Sequence, residues 1–263
     1  MCYWVGSKKV RESILKHFQQ DPNDEISQLF YTSFVAPDNP NSTHELQEYF
    51  VAVGKSKPML TALVKEHGVL SFKNIQWTLQ WTYFDKKSQQ IKEGRPLLNS
   101  SCEKVFWQHK DLIYTQRCII PIDGYWEFFH FNGTTFPHFI YPANKDLFYI
   151  GGIWNTYSDK QTGEITDTLS ILTTPPNKIA RKLHNNPKAP NGSRMLLILD
   201  YQQIHHFLDE SLNSHELRTH FFKPYPDEKM LYHPTIQFLK KENREWQASI
   251  KVQEPFNYTE LIA

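Results

Sequence analysis

The chain has 263 residues, enough for one large domain or two small ones, and 14% of them are aromatic (7 Trp, 13 Tyr and 18 Phe). Lys+Arg 29 against Asp+Glu 28 leaves a net charge of +1. That excludes binding nucleic acid through bulk basicity, so any such affinity must come from a local groove and from stacking. Three cysteines, Cys2, Cys102 and Cys118, without a CxxC spacing argue against a disulfide scaffold and a structural zinc site, and fit a reducing compartment.

Taken in chain order, the N-terminal MCYWVGSKKVRESILKHF holds no long apolar run, so no signal peptide is expected. No stretch approaches a membrane span, and no membrane partner is expected. Residues 8–18 read as a short amphipathic helix and residues 37–44 (PDNPNSTH) as a loop. Residues 48–53 and 58–64 read as strands or strand ends, and the aromatic stretch 69–84 is β-prone. Residues 86–96 read as a charged loop. Residues 117–131 (RCIIPIDGYWEFFHF) predict a hairpin turning at Asp123-Gly124, and Asn132-Gly133 marks a second turn. Strands follow at 136–141, 147–154 and 167–174. Residues 176–184 read as a helix started by Pro and Asn, 185–193 as a Pro/Gly/Asn loop, and 194–199 as a buried strand. Two helical patterns lie in 200–220, and from 231 onward come a loop or edge strand and a charged segment. Many short strands with few helices predict an α+β fold on a curved, barrel-like, mostly antiparallel sheet with peripheral helices. No linker-like composition break divides the chain, so a single domain over 1–263 is expected.

Cys2 carries the most chemistry for its position. An initiator methionine is commonly trimmed before a small residue, and trimming here leaves a free α-amine and a thiol on one residue, a 1,2-aminothiol. The amine can condense with an aldehyde to an imine, and the thiol can close onto it as a thiazolidine. The same terminus could serve as the nucleophile and base of an amidohydrolase. An unperturbed α-amine titrates near ~8 and a thiol near ~8.5, so modest tuning makes both reactive.

Three further pieces accompany it: LLNSSCEKV with Asn99 and Glu103, RCIIPIDGYWEF with Glu127, and KLHNN…SRML with His184 and Arg194. A carboxylate among aromatic residues, as at Glu127, is a candidate for proton transfer. Each piece alone has a plainer reading. Glu127 could face solvent on its strand, His184 is one of 12 histidines, Asn99 could cap a turn, and Arg194 could end in a surface ion pair.

Together and in this order, the pieces resemble the SRAP family (SOS-response-associated peptidase). Arg117-Cys118-Ile119-Ile120-Pro121-Ile122-Asp123-Gly124-Tyr125-Trp126-Glu127 matches the family's Arg-Cys-x-x-Pro-x-x-Gly-[Phe/Tyr]-x-Glu motif. Residues 148–154, 171–174 and 232–234 resemble further family segments, and the likeness runs from Cys2 to about residue 235, leaving 236–263 as a tail. The resemblance implies action on abasic sites in single-stranded DNA, with the Cys2 amine and thiol capturing the sugar aldehyde as a thiazolidine during the DNA damage response, and self-removal of Met1. It further implies catalytic roles for Cys2, Asn99, Glu127 and His184. Asn99 would hold the Cys2 backbone and the sugar oxygen, Glu127 would promote ring opening and later reversal, and His184 would act as acid/base and help hold the 3′ phosphate. No cofactor or metal is expected; a monomer in the cytoplasm, at the nucleoid when bound to DNA, is.

The chain departs from the family pattern mainly where DNA is gripped. Tyr3-Trp4 replace the usual Gly-Arg, and Ser101 stands where a phosphate-gripping arginine is usual. The His-x-Arg-Met-Pro motif is stretched, with Asn185 to Ser193 between His184 and Arg194. The positions expected to face DNA are Trp77 and Trp81 as stacking platforms, Arg194, Lys104 and Ser101. Trp77 and Trp81 could equally be ordinary core aromatics. Lys55, Lys57 and Lys188 are further candidates for phosphate contact. Two other classes of function stay open: an N-terminal-nucleophile amidohydrolase or peptidase using Cys2, and a non-catalytic nucleic-acid or protein binding module.

Overall fold

The structure, a computed structural model, describes residues 3–36, 45–160, 162–188 and 192–261. Cys2 and the loop expected at 37–44 therefore lie outside the described residues, apart from which the chain runs as follows. Its first half holds β1 (Trp4–Gly6), α1 (Val10–Gln20), α2 (Glu25–Phe34), β2 (Ala52–Val53), β3 (Met59–Glu66), β4 (Val69–Trp77), β5 (Thr82–Asp85), β6 (Gln90–Glu93), β7 (Asn99–Ser101), α3 (Val105–Gln108) and α4 (Lys110–Thr115). Its second half holds β8 (Arg117–Ile122), β9 (Gly124–Phe131), β10 (Thr134–Pro142), β11 (Phe148–Ser158), β12 (Ile165–Thr174), α5 (Lys178–Leu183), β13 (Met195–Leu196), β14 (Ile198–Leu199), α6 (Ile204–Phe207), α7 (Ser214–His220) and β15 (Met230–Pro234).

Five strands close on themselves in the order β12-β4-β3-β8-β11, because β11 and β12 also pair with each other. Closure leaves these long strands without a free edge among themselves. All of their pairings are antiparallel except β12–β4, which is parallel. A second, antiparallel sheet runs β15-β10-β9-β1-β2. The expected α+β fold on a barrel-like, mostly antiparallel sheet is therefore the observed one.

Strand alternation explains why RCIIPI is buried throughout. Cys118, Ile120 and Ile122 point into the core shared by the barrel and the second sheet, whereas Ile119 points to the other face, into a cluster with Val10, Ile14 and Phe30 of α1 and α2. Asp24 caps α2, its carboxylate accepting from Ser27 N at 2.7 Å. On the outer face of the second sheet, Trp126 and Phe139 are covered by Ile236, Phe238 and Val252 from the C-terminal segment.

The expected hairpin at Asp123-Gly124 is not one. β8 pairs with β11 and β3 in the barrel, while β9 pairs with β10 and β1 in the second sheet. The dipeptide is a corner between sheets. Asp123 N donates to Gly6 O (2.9 Å), and its carboxylate accepts from Gln253 Nε2 (2.9 Å). A Cβ on Gly124 would lie 2.5 Å from Ile140 O and from the Phe139 ring, so the close approach of β10 requires glycine there. Asn132-Gly133 does turn a hairpin: both residues have positive φ (46° and 77°), and Phe131 pairs with Thr134 across it. Residues 86–96 are not all loop, since β6 pairs with β5. The strand expected at 194–199 is two pieces, β13 on β12 and β14 on β11, divided at Leu197. Its N–H donates to Leu172 O, and its carbonyl accepts from Gly151.

Candidate active site

Alternation along β9 places Tyr125, Glu127 and Phe129 on the inner face of the second sheet and Trp126 and Phe128 on the outer face. Glu127 is thereby carried inward, and only 4% of it is exposed. α5 packs against β9. Asn177 starts this helix, its side chain accepting from Ala180 N (2.8 Å). One and a half turns later the helix ends at His184, which is 7% exposed. His184 Nδ1 lies 3.1 Å from Glu127 Oε2. Glu127 Oε1 is buried and has no hydrogen-bond partner among the described residues. The fold thus forms a buried carboxylate–imidazole pair.

Two side chains that the sequence did not single out hold His184 in place. Asn185 accepts from His130 N (2.7 Å) and donates to His130 O (2.9 Å), clamping the chain after α5 onto β9. Ser193 Oγ donates to His184 O (2.6 Å), tying the far end of the 185–193 loop back to its start. A third, His138, is the cross-strand neighbour of Glu127 on β10. Nothing local in the sequence marks any of these. Asn185 and His130 are 55 residues apart, and only the β9–α5 packing brings them together.

β1 leads the start of the chain toward this pair. Val5 pairs with Tyr125 and Gly6 with Gly124, so each step toward the N-terminus moves one residue along β9 toward Glu127. Tyr3 O accepts from Gly54 N (2.8 Å), and Lys55 Nζ lies 5.9 Å over the Tyr3 ring.

The remaining expected positions lie on other elements. Asn99 and Ser101 lie on β7, opposite Ile171 and Thr173 of β12. Lys104 is exposed just ahead of α3. Arg194 makes a bidentate pair with Glu103 (2.9 and 2.8 Å) and also donates to Thr173 O (2.6 Å). Burial pushes the Glu103 carboxyl up, but Arg194, together with the Glu103 backbone N–H and Ser101, outweighs it and holds the group below its ordinary value. Trp77 is 0% exposed in the barrel core, where Nε1 donates to Leu98 O (2.9 Å). It presents no open face to a base, and the plainer of its two readings describes its position. Trp81 is half-buried, with Nε1 donating to Arg95 O (3.0 Å) and its ring edge-on to His109. Among the described residues, no three His, Cys, Asp or Glu are grouped to hold a metal ion. No helix among them is long and apolar enough to cross a membrane.

A family model described as SOS response associated peptidase (SRAP) matches residues 1–241. Among curated proteins, none matches the chain. A crystal structure of a protein from Bacteroides thetaiotaomicron is similar at a TM-score of 0.68 and 22% identity, covering 97% of this chain and all of the other. One from Bordetella bronchiseptica is similar at 0.62 and 20% identity, covering 89% of this chain and 99% of that one. A phage-related protein from the same organism is similar at 0.57 and 14% identity, with 90% and 95% covered.

Proposed function

The chain belongs to the SOS response associated peptidase (SRAP) family, and from that premise we propose that it captures abasic sites in single-stranded DNA through Cys2. The observation that carries the reading is the buried Glu127–His184 pair at 3.1 Å, with Glu127 Oε1 lacking a hydrogen-bond partner among the described residues. An aldehyde-trapping site needs a group that can take and return protons while the sugar opens, the imine forms and the ring closes. Hydrolysis of the Met1–Cys2 peptide bond frees the amine. The amine adds to the C1′ aldehyde, and one water leaves as the imine forms. Cys2 Sγ then bonds to the imine carbon, its proton passing to the nitrogen, which completes the thiazolidine.

In this reading Glu127 delivers the proton that opens the sugar ring and His184 serves the water-loss step. Asn99 holds the sugar-derived oxygen. The direction of β1, which runs back along β9 toward Glu127, supports bringing the terminus to the pair. Arg194 is already engaged by Glu103, so phosphate contacts fall to exposed lysines such as Lys104 and Lys55, and stacking to Trp81. The protein acts as one domain and as a monomer on DNA.

The test is a single-stranded oligonucleotide with one abasic site, run on a denaturing gel after incubation with untagged protein. A heat-stable shifted band that needs both the abasic site and Cys2 is expected, and Cys2→Ala should abolish it. A band that persists in Cys2→Ala would refute the thiazolidine. No band from protein whose Met1 is confirmed removed would turn the reading toward an amidohydrolase.

A further inference from the structure

A cavity of about 430 Å³ is lined by chain and strand neighbours of the Glu127–His184 pair, and its volume is within the size range of small-molecule sites. It shares backbone neighbours with both members. One wall is Leu183, the residue before His184; another is His138, which pairs with Glu127 across β9 and β10. Directly paired residues point to the same side of a sheet, so His138 and Glu127 share a face.

The floor is aromatic. Phe129 and Phe131 lie near-parallel, 13° apart with centroids separated by 6.0 Å, and Phe131 is 37% exposed. Tyr258 also lines the cavity, from a tail that lies beyond the region matched by the family model. That tail is fixed to the second sheet: Phe256 N donates to Pro234 O (2.8 Å) and Tyr258 Oη to Thr235 O (2.6 Å).

The polar side chains are those of His138, Lys182, Asn257, Tyr258 and Glu260, and two of them are fixed in direction. His138 Nδ1 lies 3.0 Å from Phe136 O. A carbonyl can only accept, so Nδ1 carries the hydrogen and Nε2 of the neutral ring is an acceptor. Burial, with lesser help from Lys182 and His233 and against the bond to Phe136 O, pushes this imidazole below its ordinary value. Lys182, also lining the cavity, donates to Tyr232 Oη (3.0 Å). Stacking rings, an in-plane acceptor and a cation suit a planar group that carries N–H donors and belongs to an anionic chain.

We propose that this cavity is a subsite for one unstacked nucleobase next to the captured sugar, walled in part by the C-terminal tail. The proposal rests on the abasic-capture reading for its strand and deepens it by assigning where a flanking base sits. A base stacked on Phe129 and Phe131 would present its N–H edge to His138, while Lys182 meets the flanking phosphate.

The probes are three single-stranded oligonucleotides with one abasic site: one with bases on both sides, and two in which the 5′ or the 3′ neighbour is a base-free tetrahydrofuran spacer. Removing the base on one side only is expected to slow capture on the order of tenfold. Phe131→Ala, at an exposed strand end, and Tyr258→Ala should each erase that difference. Equal sensitivity in wild type and both variants would overturn the subsite, as would wild-type insensitivity to either neighbour. A second measurement needs no covalent chemistry: equilibrium binding of the same set with a tetrahydrofuran at the lesion position. A one-sided loss of affinity that disappears in Phe131→Ala supports the subsite even if no covalent band forms with any oligonucleotide, and absence of that loss overturns it. Lack of a band with binding intact would count against the capture reading alone.

Discussion

Replacing Asn185 by alanine removes two hydrogen bonds to the backbone of His130, at 2.7 and 2.9 Å, and leaves the packing of α5 otherwise untouched. Each such bond is worth about 1 kcal/mol net, so the clamp contributes about 2 kcal/mol. If all of it is lost on global unfolding, the melting temperature falls by about 4–8 °C for a chain of this size. If the loop instead opens locally, the same energy shifts the held-to-open ratio of His184 by roughly 30-fold, and the melting temperature moves less. In the second case capture of an abasic oligonucleotide at saturating protein should slow by roughly tenfold or more, while equilibrium binding of a tetrahydrofuran oligonucleotide stays close to wild type. Asn185→Asp keeps an acceptor for His130 N–H but cannot donate to His130 O, so it should recover part of the rate. An Asn185→Ala protein that melts lower by the full amount yet captures at the wild-type rate would refute the claim that this clamp positions His184.

Three further outcomes follow from the same geometry. Glu127→Gln keeps the shape but loses the carboxylate, and should lower the capture rate at pH 7 by roughly 10²–10⁴-fold with little change in binding, measured by single-turnover gel assay. Glu103→Ala releases Arg194 from its bidentate pair. Single-strand affinity should rise, and the slope of log affinity against log salt should steepen by roughly 0.7; an unchanged slope would mean that Arg194 does not reach a phosphate. Burial raises the Asp123 carboxyl from 3.8 to about 6. Its folded value exceeds its unfolded one, so wild-type stability falls as pH rises from 3.8 to about 6 and stays lower above that, by about 3 kcal/mol. Asp123→Asn escapes this penalty, so thermal melts should show it more stable than wild type at pH 8 and no more stable at pH 4.

The strands that the sequence predicted correctly were those with a strong local signal. β10, β11 and β12 carry dense β-branched and aromatic residues, and Asn132-Gly133 can supply the positive φ angles that a two-residue turn demands. The helix at Lys178–Leu183 was legible from its Asn177 cap. Two of the errors share one cause. Asp123-Gly124 has the composition of a hairpin turn, but which partners the flanking strands take is decided by residues far away in sequence, Gly6 and Gln253 among them. The break at Leu197 likewise follows from its bonds to Gly151 and Leu172, not from anything within 194–199.

The site divides in the same way. Sequence order and residue type by themselves pointed to Glu127 and His184 through a resemblance to one family pattern, and to a β9 that alternates its faces. That is because the strand period is a property of the local backbone. Only the tertiary structure decided that Nδ1 of His184 stands 3.1 Å from Glu127, that Trp77 is spent in the core, and that Arg194 is committed to Glu103. Those outcomes depend on how a closed barrel, a second sheet and one short helix stack upon each other. Side chains 21 to 91 residues apart compete there for the same buried volume and the same hydrogen bonds, and no local pattern records which of them wins.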